Sequence, residues 1–217
     1  MKIIVKRTEQ IQINKNHELW CYCDEICFAA KNLYNFANYV VRQEFIHNGR
    51  WIRYRELDKM LKEHETYKNL PAQTSQQVLR LLDRNWKAFF KAMKEWKQDK
   101  NKFNGRPKLP KYKKKNGRNI AIFTNQQCKI RDGYLSFPKT GSKLRTRITD
   151  KLKEVRIIPK GSIYVVEIVY EKEIAEVKRP VKRIAGIDLG LNNFVTLVNN
   201  IGIKPIVING KVIKSIN

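Results

Sequence analysis

Residues able to do chemistry are few in this 217-residue chain, and they are grouped. Near the end, Ile184-Ala185-Gly186-Ile187-Asp188-Leu189-Gly190-Leu191-Asn192-Asn193-Phe194-Val195-Thr196-Leu197-Val198 sets one aspartate between two apolar, β-prone runs. The pattern predicts a strand, a turn and a second strand. A carboxylate within a buried strand is costly to keep charged unless a cation neutralises it. Mg²⁺ does so, because it favours carboxylate oxygens and keeps other positions for water and phosphate. The plainer reading is that Asp188 ends the strand and supports the turn by side-chain hydrogen bonds.

Two further groups point to polyanions. Gln73-Thr74-Ser75-Gln76-Gln77 opens a helical pattern. Glutamine can bond an adenine edge in two places, and a helix N-terminus favours phosphate. Plain capping, with Thr74 three residues before Gln77, accounts for the same letters without DNA. Residues 100–118 hold nine Lys or Arg and no acid, interleaved with Phe103, Tyr112, two prolines and two glycines. Lysines there can track a phosphate backbone while the two rings stack on bases. A solvated linker is the alternative.

Gly186-Ile187-Asp188-Leu189-Gly190, followed by Asn192-Asn193 and an alternating strand, resembles the opening of a RuvC-type nuclease domain of the ribonuclease H fold. The chain is most similar to TnpB (OrfB), the insertion-sequence endonuclease family related to the type V CRISPR nucleases. Actin-like ATPases begin similarly, but with Thr-Thr-Asn at the phosphates, where Leu191-Asn192-Asn193 stands here. The TnpB resemblance implies that Asp188 is the first of three acidic metal ligands. It makes Gln76 and Gln77 readers of a short DNA motif, with Thr124 and Asn125 adding contacts. Pro110-Lys111-Tyr112-Lys113-Lys114-Lys115 resembles a Pro-basic-aromatic-Lys-Lys-Lys signature of the same family. Implied partners are a guide RNA and a double-stranded DNA target, and the implied cofactor of the complete enzyme is Mg²⁺.

Residues 189–217 contain no Asp or Glu. A two-metal site needs several carboxylates around ions about 4 Å apart. The family's second and third acidic ligands, and its zinc-binding cysteine pairs, are therefore expected beyond residue 217, so the resemblance covers about half of a full-length member. The expectation is a truncated nuclease that does not cut DNA alone, holds no metal tightly and has no zinc site. A second polypeptide is one candidate source of the remaining domain. The alternative function is a stand-alone DNA- or RNA-binding regulator without catalysis.

Composition agrees with a polyanion partner. The net charge is +25 and the pI about 10.0, a surplus whose self-repulsion a nucleic acid would cancel. Hydrophobic residues at 42% predict a globular chain. No run of about eighteen apolar residues exists, and Met1-Lys2-Ile3-Ile4-Val5-Lys6 is too short for a signal peptide. A cytoplasmic protein with no membrane partner is expected. Cys21, Cys23, Cys27 and Cys128 lack zinc-site spacing and predict buried free thiols.

These groups need elements to position them. Apolar spacing from Leu19 to Phe45 predicts a long helix ending at His47-Asn48-Gly49, and Leu57, Met60 and Leu61 mark a shorter one. A second long helix is predicted from Ser75 to Gln98, with Val78, Leu81, Leu82, Trp86, Phe89, Phe90, Met93 and Trp96 as its core face. Arg80, Arg84, Lys87, Lys91 and Lys94 lie largely off that face, where nearly uniform charge favours phosphates. Strands are predicted at Ile3–Val5 with Ile11 and Ile13, at 119–124, 128–131 and 134–137 around an Asp132-Gly133 turn, at 155–158 and 163–170, and at 203–208. Residues 100–160 carry 19 Lys or Arg against 3 Asp or Glu.

The expected class is α+β: a helical recognition lobe inserted in a basic β-barrel (an OB-like wedge), then the first strands of a ribonuclease H-like (RuvC) domain. The expected segments are 1–16 (first barrel strand or strands), 17–99 (helical lobe), 100–118 (basic linker), 119–177 (barrel) and 178–217 (truncated nuclease domain). Backbone-contact candidates are Arg80, Arg84, Lys87, Lys91, Lys111, Lys113, Lys114 and Lys115.

Overall fold

The structure is a computed structural model that describes residues 2–175, 182–190 and 192–210. It has two compact units, Ile3–Ile174 and Met1–Lys2 with Ala175–Asn217. The first residues of the expected nuclease segment, 178–181, and its last, 211–217, lie outside the described residues.

In the larger unit the predicted long helix is α1, Trp20–Asn48. Its apolar stripe is buried from Cys23 through Val41. It stops at Gly49, whose φ of 66° suits glycine and turns its N–H back to Phe45 O. Helix α2 spans Tyr54–Leu61, and a one-turn helix, α3, spans Glu65–Lys68. Sequence periodicity gave no sign of α3. It is made by His64, whose ring accepts from Thr66 N and stacks on Phe36 at 3.9 Å.

Helix α4, Ala72–Gln98, begins three residues before Ser75, with Pro71 at its N-cap and no capping side chain. The capping box expected at Thr74 is thus absent. Thr74 and Ser75 are buried inside the first turn, and Ser75 Oγ donates to Tyr67 O at 2.8 Å. The expected apolar face is core only in its first half. Val78, Leu82 and Trp86 are buried, together with Leu79, whereas Phe89, Phe90, Met93 and Trp96 are half-buried. Of the four cysteines, Cys23, Cys27 and Cys128 are buried free thiols; Cys21, contrary to expectation, is exposed.

Strands β1 (Lys2–Ile13), β2 (Ala121–Thr124), β6 (Lys151–Lys160) and β7 (Ile163–Ala175) form one sheet in the order β1-β7-β6-β2. Val155 opposite Ile168 and Ile157 opposite Val166 bury the face on which α1 packs. Strands β3 (Lys129–Arg131), β4 (Tyr134–Ser136) and β5 (Lys143–Arg145) form a separate sheet. Its first hairpin turns at Asp132 and Gly133, both at positive φ, as the Asp-Gly signal requires. The N-terminal strand joins the larger sheet as expected, and of the one or two short strands expected there the fold makes a single long one.

The described strands of this unit do not close into a barrel. They make two open sheets, and α4 packs against the outer strand β2.

The smaller unit contains an antiparallel meander of β8 (Ala185–Asp188), β9 (Asn193–Asn199) and β10 (Ile206–Asn209). Asp188 faces Thr196 across the ladder. The bend between β8 and β9 needs Gly190, because a Cβ there would lie 2.9 Å from Asn193 O, the atom that accepts Gly190 N–H at 3.1 Å. The third strand starts at Ile206 rather than Ile203. All four residues of β8 are exposed, not buried.

Candidate nucleic-acid interface

The basic run is not a free linker. Polar residues at positions i, i+4, i+7 and i+11 of α1 (Lys31, Asn35, Asn38 and Arg42) share one face of the helix, and residues 110–115 run along that face. Lys31 Nζ donates to Lys115 O at 2.8 Å. Asn35 Nδ2 donates to Lys113 O at 2.9 Å and its Oδ1 accepts Lys113 N at 2.8 Å. Pro110 O accepts from Asn38 Nδ2 at 3.0 Å and from Arg42 Nη1 at 3.2 Å. Beyond them Asn119 N donates to Cys27 O at 3.0 Å. Pro107 and Pro110 have no N–H to satisfy.

The strap is therefore held by its backbone, and Lys108, Lys111, Lys113, Lys114 and Lys115 are all exposed. Tyr112 is exposed too, with the Arg42 guanidinium 4.9 Å from its ring centre. Lys113 Nζ sits 5.2 Å from the Tyr34 ring. Phe103, before the strap, is half-buried and its N–H donates to Lys100 O.

One acidic residue fixes the strap's end. Asp24 accepts from Arg118 Nε at 2.9 Å and Nη2 at 2.6 Å, and from the Tyr164 hydroxyl at 2.5 Å. The Arg118 hydrogen bonds, and then that of Tyr164, hold the Asp24 carboxyl below its ordinary range against the opposing effect of burial. Lys31 is shifted down by burial and then by the nearby Arg118 charge. Burial pushes the Cys23 and Cys128 thiols up to about 12, which leaves them unreactive.

A second feature is a groove of about 540 Å³ between α4 and strands β2 and β6. Arg80, Arg84, Lys87 and Arg156 line it, with Gln77 beside them and Ile122 in its wall. It is not of one sign. Asp83, only 8% exposed, accepts from Lys87 Nζ at 2.7 Å and Arg53 Nε at 3.4 Å. Glu154 holds Arg156, and Arg80 lies 4.5 Å from the Tyr54 ring centre. Lys91, further along α4, approaches Glu95 at 3.9 Å. These contacts fix the cations in place and lower the groove's net charge below what the helix face alone suggested.

The four residues assigned to motif reading come from two segments that the fold joins. Thr124 Oγ1 donates to Gln73 Oε1, Gln73 Nε2 donates to Gln126 Oε1 at 2.6 Å, and Thr74 Oγ1 donates to Gln127 Oε1 at 3.3 Å. The first turn of α4 and the turn after β2 thus form one patch. Gln77 faces the groove, Gln76 is half-buried, and Asn125 is exposed at the turn. Sequence reasoning missed Gln73, Gln126 and Gln127 as the joining residues, and missed the α1 ladder. Its one advance sign was polar residues at helical spacing within an otherwise apolar pattern.

Asp188 lies in the other unit and is exposed. The desolvation argument for a metal there does not hold. Among the described residues no group of three His, Cys, Asp or Glu stands close enough to share an ion, so these residues do not fit a two-metal site. Among the described residues no helix is long and apolar enough to cross a membrane.

The architecture is that of a mixed helix-and-sheet protein with a backbone-clamped basic strap. No family model and no curated protein sequence matches the chain. Among solved structures it is similar to a chain in a cryo-EM structure of a Cas12f1–sgRNA–target DNA complex, with 14% identity and a TM-score of 0.37, covering 97% of this chain and 59% of that one. A cryo-EM structure of a CRISPR-Cas12f ternary complex gives 13% identity and a TM-score of 0.35, covering 90% and 49%. The chain spans between about half and three-fifths of the length of these proteins.

Proposed function

We propose that this chain is the nucleic-acid-binding half of an RNA-guided DNA endonuclease of the TnpB class, gripping guide RNA and target duplex. The observation that carries the reading is the strap. An extended segment whose backbone is anchored at 110, 113 and 115, and whose lysines all face solvent, presents a pre-ordered row of charge. A merely soluble surface has no use for such clamping, whereas phosphate binding gains from lysines that are already placed.

On this reading Lys111, Lys113, Lys114 and Lys115, with Arg80, Arg84, Lys87 and Lys91, hold phosphates. Tyr112 and Phe103 stack on bases, and Gln76, Gln77, Thr124 and Asn125 read the target-adjacent motif. The two sheets of the larger unit serve as the wedge, and the β8–β10 meander as the first strands of a ribonuclease H-like domain. In a complete enzyme Asp188 would offer one carboxylate to Mg²⁺, which would supply water activation for phosphodiester cleavage only with further ligands beside it.

A second reading, a binding regulator without catalysis, is favoured by the contrast between a built strap and a solitary, exposed Asp188. Sequencing the RNA that co-purifies with the chain from its own host separates the two. One discrete structured RNA supports the guide-binding role. Bulk ribosomal or random RNA sinks it and leaves sequence-specific DNA binding without RNA as the regulator's signature.

A further inference from the structure

At the distal part of the α1–α4 pair, Phe45, Phe89, Phe90, Met93 and Leu109 line an open depression of about 540 Å³. The rings lean on one another at steep angles, 83° between Phe45 and Phe89 and 76° between Phe45 and Phe90. They make a bowl rather than a flat stacking platform. Lys94, Lys97 and Arg106 also line it, and no acidic side chain does.

We infer that this bowl is a docking site for an acidic amphipathic helix of a protein partner. Large apolar side chains of the partner at i, i+3, i+4 and i+7 fill the bowl, and its carboxylates meet the three cations. Charge complementarity selects this occupant. A second copy of the chain would bring a like net charge of +25 against the same cations. A nucleic acid would match the cations, but the steeply tilted Phe rings give its bases no flat platform to stack on, and base edges pressed on the Phe, Met and Leu floor would be buried unpaired. The site borders the strap, whose start contributes Leu109 to its wall, but it does not rest on the function proposed above.

The test uses the full chain and a fluorescein-labelled peptide of roughly 18 residues, with Leu and Phe on one helical face and Glu elsewhere. A control peptide of the same composition has the stripe scrambled. Fluorescence anisotropy is expected to show the patterned peptide binding at least about tenfold tighter than the scrambled one. Met93→Glu removes that difference, and Lys94→Ser combined with Lys97→Ser reduces it without touching the floor. Equal binding of the two peptides overturns the inference, because charge alone would then explain it. So does loss of oligothymidylate affinity in Met93→Glu with peptide binding unchanged. A concentration-dependent dimer in sedimentation that Met93→Glu abolishes, again with peptide binding unchanged, overturns it in favour of self-association.

Discussion

Asp24 and Arg118 are joined by two hydrogen bonds, at 2.9 and 2.6 Å, that tie the first turns of α1 to the end of the basic strap. The Tyr164 hydroxyl on β7 donates to the same carboxylate, so helix, strap and sheet meet there. Because Arg118 and then Tyr164 lower the Asp24 pKa in the folded protein, the stabilisation is fully present above the unfolded-state value of about 3.9. It is lost as pH falls through the lower, folded value. Asp24→Asn is expected to cost about 1.5–3 kcal/mol at neutral pH, the scale of hydrogen bonds to charged groups. Urea melts at a series of pH values should show the parent and variant stabilities converging as the solution is acidified below pH ~4. A constant gap down to the lowest pH would mean the carboxylate's charge is not what holds the junction.

The middle of the ladder makes a second prediction. Asn38 is fully buried, donating to Pro110 O and accepting from Trp86 Nε1 at 3.1 Å. Asn38→Ala leaves the indole N–H without its partner in the core, at a cost of about 1–3 kcal/mol. It should also speed proteolysis at Lys111–Lys115, because one anchor of the strap is gone. Asn38→Asp keeps an acceptor for Trp86 but sets a buried, acceptor-only carboxylate against Pro110 O, and should recover none of the stability. Limited trypsin digestion beside a thermal melt reads both effects.

Removing strap charge should leave the fold intact, since the lysine side chains are exposed and the anchoring is by backbone. Changing Lys111, Lys113, Lys114 and Lys115 together to Ser is expected to leave the melting temperature nearly unchanged. The slope of log K against log salt for duplex binding should fall by about 0.9 for each lysine that contacts a phosphate. An unaltered slope would place the phosphates elsewhere.

Much of this arrangement was legible in the sequence because it is encoded locally. The α1 stripe and its Gly49 stop, and the Asp132-Gly133 hairpin, follow from 3.6-residue spacing and from positive φ. What was not legible depends on contacts between distant segments. The strap reads as a linker because prolines and lysines carry no periodicity, and Lys31, Asn35, Asn38 and Arg42, 68–84 positions earlier, give it a place. The outer half of the α4 stripe has core periodicity, yet nothing in the larger unit covers Met93 or Phe89 fully. For Asp188, apolar neighbours suggested burial, whereas β8 is exposed along its whole length. Hydrophobic pattern records which face is apolar, not whether a partner covers it.

Asp188 accordingly should matter little to what this chain does alone. With millimolar Mg²⁺ or Mn²⁺ the purified chain is expected to leave duplex DNA uncut, because one carboxylate does not assemble a pair of ions. Asp188→Ala should bind RNA and DNA as the parent does. Cleavage that survives purification and vanishes in Asp188→Ala would reverse this conclusion.

The final prediction separates reading from gripping in the α4 groove, where Gln77 and Arg84 are both lining residues. Gln77 is a neutral donor and acceptor at the first turns of α4, close to the patch joined by Gln73 and Thr124. Arg84, two turns on, is exposed and offers charge. If Gln77 bonds a base edge, Gln77→Ala relaxes preference at one position of the target by about 1–3 kcal/mol and leaves other positions alone. If Arg84 bonds a phosphate, Arg84→Ala weakens all sequences alike and lowers the salt slope by about 1. Selection from a randomised duplex library, repeated at two salt concentrations, distinguishes them. Uniform weakening by both variants would make the groove a phosphate track only. A base preference lost in Gln77→Ala and kept in Arg84→Ala would make the first turn of α4 the part of this protein that carries sequence information.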